Sequence, residues 1–579
     1  MVKTRARWPR RDWLAAAGLF AATAAVVLWQ NAHIAVLWDL SYVLDTATRI
    51  AQGQVPYRDF PFAHAPLTFV IQAAIIRITG RVFFHHVLYA AIIGGLGTVL
   101  TWRIALRSLT GRIGSAWPVS LILAAPLSVL GIYCILPFPS YDCDTAFAIL
   151  VAILLLQRLK PGSSPLYGIA TGAALCLPVF FKQNIGLPFL AASCAIITLA
   201  LAFGLAGQRK SPASDLWTRP LFAVLAGIAA TLATALLLLH FTVGIRNYVH
   251  WTIQFAAERR LPGLQEMLGV YLDPQLLWKL PCVIAAVWLI RRVNAPWAKF
   301  AAFILMAAPF VYTLCTLLIY DDSDERGDSL LALWPMLLIL AAALAFWNLR
   351  TLRTQQYSSS RILPFLPILL LVAIHGTLMS QQLWGSTYAI WPLLILLVAG
   401  MIAFLAESKL NTPKLATACA ILVSTTLLVC GGFYTTSEER LSYAQLPAGP
   451  VQHSTFRRLK GLSTPGPYLA DLDELLRYSD ANIPRSDGII LMPGEDPFYF
   501  VTGRKPQFPV LLFDPATDPL SPVQVIEASI KHNIRWLVVK RNLQLTADPT
   551  PQREATLHEL LGKFTPVAHL HAYDIYQRH

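Results

Sequence analysis

A chain of 579 residues that is 56% hydrophobic and only 13% charged, with a mean hydropathy of +0.54, has too much apolar surface for one water-soluble core. Apolar runs near twenty residues recur along it, and about twenty residues cross roughly 30 Å of hydrocarbon as a helix. The composition therefore predicts a polytopic α-helical membrane protein and excludes a soluble enzyme. The formal charge of +14 sits largely in short loops between the runs and asks for no nucleic acid.

The first apolar run, 13–29, follows Lys3, Arg5, Arg7, Arg10 and Arg11. It is long and lacks a small-residue cleavage site after it, so it reads as a retained anchor rather than a signal peptide. Directly behind it comes the stretch from Asp39 to Pro66, within a first outer loop over 30–81. An apolar chain rarely interrupts itself with this many ionisable and aromatic groups unless they meet a ligand at the membrane surface.

Further runs fall near 82–106, 117–135, 145–157, 166–181, 186–204, 220–241, 276–290, 300–320, 329–347, 363–379, 387–406 and 415–433, about thirteen spans in all. Lys and Arg mark the inner side of successive short loops. Arg107 and Arg112, Arg158 and Lys160, Arg209 and Lys210, Arg291, Arg292 and Lys299, Arg350 and Arg353, and Lys409 with Lys414 alternate consistently with a cytoplasmic N-terminus. The acidic residues Asp39, Asp45, Asp59, Asp142, Asp144, Glu258, Glu266, Asp273 and the cluster 321–328 then fall on the outer face. Gly168 and Gly172, four apart, predict close helix approach.

From about residue 434 the chain becomes mixed and polar. The runs 487–492, 508–513 and 534–540 read as strands, and 522–533 and 553–564 have helical periodicity. This predicts a small extracytoplasmic α/β domain over 434–579 behind a membrane domain over 1–433. All eight cysteines, Cys134 to Cys430, precede it. Cys134 and Cys143 flank one outer loop, but cysteines in spans are usually small apolar fillers, so no disulfide is expected. There is no CxxC or HExxH spacing, which leaves no metal signature while keeping a divalent ion open as a helper. No Asn-x-Ser/Thr triplet occurs, which favours a bacterial inner membrane.

At this point the residues carry a resemblance. Asp39-Leu-Ser-Tyr42-Val-Leu-Asp45-Thr-Ala47, then Gly53, Pro56-Tyr57-Arg58-Asp59 and Ala65-Pro66-Leu67, followed by an amphiphilic helix ending at Gly80, resemble the first outer loop of GT-C glycosyltransferases. They resemble most the family 39 group of protein O-mannosyltransferases and lipid A aminoarabinose transferases. Leu40 departs from that family's Asp-Glu pair. Asp144 in PFPSYDCDTAF, Lys182 in FKQNIGLPFL and Arg326 in DERGDSLLALWP resemble later segments of the family in the same order. The resemblance implies an inverting transferase, a polyprenyl-phosphate sugar donor, membrane lipids as surroundings and an extracytoplasmic acceptor.

The residues then take candidate roles. Transfer needs a base for the acceptor hydroxyl and cations for the leaving phosphate. Asp39 is the candidate base, with N-capping of its helix as the ordinary alternative. Tyr42, Asp45 and Asp144 are expected beside it or toward the acceptor, and Tyr57, Arg58, Asp59 and His64 in the substrate loop. Lys182 and Arg326 are candidate phosphate ligands, with Arg259 and Arg260 as an alternative clamp. A transporter or flippase of a lipid-linked sugar is the rival reading, though the two halves of the chain do not look alike.

Overall fold

A computed structural model describes residues 8–33, 37–208, 215–260, 268–319, 330–351, 363–379, 389–407, 413–436, 449–514, 517–543 and 551–578. Among them six helices are long and apolar enough to cross a membrane: Arg10–Asn31, Phe83–Leu109, Gln183–Ala202, Trp217–Thr242, Pro296–Ile319 and Lys414–Thr436. Shorter apolar helices accompany them, including Ala116–Leu130, Pro165–Phe181, Trp334–Arg350, Leu366–Leu378 and Trp391–Ala406. Their outward side chains are apolar, as Leu237, Phe241, Leu277, Ile284 and Phe300 show. In water such a surface would be a large exposed patch; in lipid it is the expected one. The chain is a multi-pass membrane protein.

Small residues set how closely the helices approach. A Cβ at Gly172 would lie 2.2 Å from the Val224 carbonyl oxygen, and one at Gly168 2.6 Å from the Ala223 Cβ. Helix Pro165–Phe181 can therefore rest against helix Asp215–Thr242 almost backbone to backbone. Where larger residues meet, aromatic pairs fill the core, as with the buried Trp334 and Trp391, whose rings lie 4.9 Å apart edge to face. The cysteines are free, Cys134 and Cys143 among them.

After residue 449 the chain forms a short antiparallel pair, β1 (Val451–His453) with β2 (Ser463–Pro465), and a four-stranded mixed sheet. The sheet comprises β3 (Gly488–Met492), β4 (Ile534–Lys540), β5 (Phe564–His569) and β6 (Tyr573–Arg578), ordered β3-β4-β6-β5. β3 and β4 run parallel, and β4–β6 and β5–β6 run antiparallel. Helix Pro522–Lys531, closed by a Ser521 and Gln524 capping box, makes the crossover to β4.

The stretch 508–513, expected as a strand, is not one. Its side chains Phe508, Val510, Leu512 and Phe513 are buried as the apolar run demands. Its backbone, however, is spoken for: Pro509 has no N–H, and the carbonyls of Phe508 and Pro509 accept from the Arg49 guanidinium at 2.9 and 2.8 Å. A residue in the first loop has replaced a neighbouring strand as the hydrogen-bond partner.

Candidate functional site

The first loop is built around helix Leu37–Ala51. One face of it binds the C-terminal region. Ser41 donates to the Glu495 carbonyl at 2.7 Å, and the Asp45 carboxylate accepts the backbone N–H groups of Phe500 (2.7 Å) and Tyr499 (3.2 Å). Arg49 takes the two carbonyls just described, and Gln52 donates to the Gly503 carbonyl at 3.1 Å. Positions 41, 45, 49 and 52 lie on one helical face. This stripe reads the backbone of 495–509 and fixes the helix. Burial pushes the Asp45 carboxyl above the usual carboxylate range, while the N–H groups of Phe500 and Tyr499 pull it back.

The other face carries Tyr42 and Val43 into an aromatic cluster. Val43, Tyr57, Phe60, Phe62 and Phe69 are buried together, with Tyr42, Tyr141, Tyr248 and Trp251 packed around them. Tyr42 meets His64 edge-on at 5.4 Å, and His64 stacks on Tyr141 at 4.7 Å. The loop between is locked locally. Tyr57 adopts a left-handed backbone (φ 68°), its N–H reaches the Phe60 carbonyl at 3.0 Å, and its hydroxyl donates to the His64 carbonyl at 2.6 Å. Arg58 and Asp59 pair with each other at 2.8 Å, and Asp59 also accepts from the Val55 N–H at 2.7 Å. They brace the turn. The Arg58 hydrogen bond holds the Asp59 carboxyl below its ordinary range.

Lys182 ends helix Pro165–Phe181 in an extended conformation and forms an ion pair with Asp142. Its side chain is largely buried, and its ammonium lies 5.3 Å from the Tyr141 ring. A lysine reaching toward the interface for solvent would not be held this way. The neighbouring Gln183 donates to the carbonyls of Ala63 (3.3 Å) and Thr252 (2.9 Å), tying the first loop to the segment 250–260. Asp144, two residues beyond Asp142, is bound elsewhere. Its carboxylate accepts from Thr68, Tyr89 and Tyr133, each at 2.7 Å.

The structure thus brings Tyr42 and His64 to the Lys182 ion pair through Tyr141 and Asp142. Asp39, half-buried, sits within the first turn of the helix that carries Tyr42 and does not stand outside it as a cap. Asp45 belongs to the contact with the C-terminal region, and Asp144 to a closed hydroxyl cage. Arg259 and Arg260 end the short helix Ala256–Arg260, and Arg326 lies outside the described residues. Asp142 was not singled out from the sequence, because its role depends on a partner forty positions away. Among the described residues no three His, Cys, Asp or Glu side chains come together to hold a metal ion.

No protein-family model and no curated protein matches the chain. Its structural neighbours include glycosyltransferases of the GT-C class. The oligosaccharyltransferase of Archaeoglobus fulgidus in the apo form has a TM-score of 0.47 at 12% identity, over 92% of this chain and 70% of that one. ArnT from Cupriavidus metallidurans bound to undecaprenyl phosphate has a TM-score of 0.41 at 14% identity, over 98% of both chains. The Archaeoglobus enzyme AglB with an inhibitory peptide and a dolichol-phosphate has a TM-score of 0.44 at 13% identity. These likenesses are too distant to assign the chain to a family, and the functional reading rests on its own residues.

Proposed function

We propose that the chain is an integral membrane glycosyltransferase that moves a sugar from a polyprenyl-phosphate donor to an extracytoplasmic acceptor, with inversion at the anomeric carbon. The observation that carries this reading is the convergence of the Asp39 and Tyr42 helix, His64, and the Lys182–Asp142 pair at one end of the membrane helices. Asp39 takes the proton of the acceptor hydroxyl as its oxygen bonds to the anomeric carbon, and the bond from that carbon to the phosphate oxygen breaks. Such a base contributes about 10²- to 10⁴-fold. Its place in the first turn suits the negative charge a base needs, since the positive end of the helix dipole is there.

The leaving lipid phosphate takes the electron pair of the broken bond, and Lys182 stabilises it. Asp142 orients the ammonium by one of its three N–H bonds and leaves two for phosphate oxygens. Arg259, Arg260 and Arg326 are further candidates for that phosphate. Tyr42, His64 and Tyr141, packed on one another, form the aromatic surround for the sugar. In this reading the membrane domain spans 1–433 with about thirteen crossings of a bacterial inner membrane and a cytoplasmic N-terminus, and 434–579 lies outside.

The test is transfer by purified full-length protein in nanodiscs supplied with radiolabelled polyprenyl-phosphate sugars and an envelope extract as acceptor. Label should move from lipid to acceptor with release of polyprenyl phosphate. Passage of intact donor across a vesicle membrane without transfer would instead make the protein a lipid transporter.

A further inference from the structure

Away from this site, a cavity of about 550 Å³ opens where two membrane helices meet the C-terminal region. One wall is apolar: Leu28 from helix Arg10–Asn31, with Phe84 and Val87 from helix Phe83–Leu109. The other is basic, with Arg457 and Lys460 on the segment between β1 and β2. Both are exposed and form no ion pair among the described residues. More cations lie close by. Arg81 is pushed down to about 10, first by burial and then by Arg458 and Arg485. The acids near them are committed: Asp473 accepts from Ser454 and Thr455 and faces Arg477 at 3.9 Å, while Asp480 faces Arg485 at 3.7 Å.

A third feature narrows the ligand. Asn31 lines the cavity, is buried, and donates its amide to the Pro137 carbonyl at 2.9 Å. Its carbonyl oxygen has no donor among the described residues. A buried acceptor left unmatched is costly. A phosphate diester cannot supply the missing donor, because it only accepts. An ammonium could, but it would sit beside two cations. A neutral hydroxyl on an otherwise anionic head group matches both the basic wall and the Asn31 oxygen.

The volume falls within the roughly 300–1,000 Å³ of small-molecule sites, enough for a head group. A tail has a path onward: Phe84, Leu88, Ile92 and Leu96, four apart, form an exposed apolar stripe down helix Phe83–Leu109. We infer that this cavity binds one anionic phospholipid of the surrounding bilayer with a hydroxylated head group of the phosphatidylglycerol type, which seals the C-terminal region onto the membrane helices.

The experiment is native mass spectrometry and thermal unfolding of the full chain in nanodiscs of phosphatidylcholine alone, or doped with phosphatidylglycerol, phosphatidic acid or phosphatidylethanolamine. Phosphatidylglycerol should be retained most and raise the unfolding temperature. Arg457→Glu with Lys460→Glu should lower its retention by at least about tenfold. Asn31→Leu should bring phosphatidylglycerol down to the level of phosphatidic acid. Equal retention of all four lipids, retention unaffected by the charge reversals, or displacement by polyprenyl phosphate would overturn the inference. If the double variant is unstable even in phosphatidylcholine, the lipid preference of the unmodified protein decides.

Discussion

The carboxylate of Asp45 accepts the backbone N–H of Phe500 at 2.7 Å, joining the helix that bears Asp39 to residues some 455 positions away. The contact closes the start of helix Phe498–Thr502, whose first N–H groups have no partner within the helix. Asp45→Ala would strand two buried donors, at about 1–3 kcal/mol each. The expected result is faster hydrogen exchange at Tyr499 and Phe500 and a lower unfolding temperature. Unchanged protection of both amides would show that the contact does not hold the C-terminal region.

Lys182 and Asp142 form a largely buried pair, and removing either partner exposes the other to a low-dielectric site. Lys182→Ala should weaken donor use more than acceptor use, by roughly 1.5–3 kcal/mol for a charged hydrogen bond. Asp142→Ala should have the same sign, and the double variant should fall short of the sum. Steady-state rates against donor concentration check this. Rates that depend on donor as in the unmodified protein would assign the pair to folding and move the phosphate to Arg259 and Arg260.

Asp144 stands two residues from Asp142 and should behave differently. Its oxygens take three hydroxyls at 2.7 Å from three separate segments, two of them fully buried. Asp144→Ala leaves Thr68 and Tyr89 without this acceptor and Tyr133 with only the longer bond to the Ser140 carbonyl at 3.3 Å, and should cost several kcal/mol, at about 1–3 for each stranded hydroxyl, seen as poor accumulation and early unfolding. A variant that folds normally yet loses turnover would bring Asp144 back among the reacting groups.

How much of this could be read from the chain alone follows from how local each signal is. Hydropathy marks the membrane helices because each signal lies within its own span, and the β-branched run at Ile534–Lys540 announces a buried central strand. The strands Phe564–His569 and Tyr573–Arg578 do not show in the sequence because the first is largely exposed, the second buries only Tyr573 and Ile575, and they carry Pro566, Asp574 and Arg578. The run 508–513 looked like a strand because its side chains are apolar. Nothing local shows that Arg49 occupies its carbonyls. For the same reason the sequence points to Asp144 and passes over Asp142, and only their partners show which of the two meets Lys182.

The most direct test of the central claim is turnover of Asp39→Asn. Asparagine keeps the size of the side chain, and Asp39 is half-buried in the first turn of its helix, but asparagine cannot take the acceptor proton. Sugar transfer from the lipid donor should fall by about two to four orders of magnitude while the unfolding temperature and donor binding hold. Near-normal transfer by a well-folded Asp39→Asn protein would contradict the account.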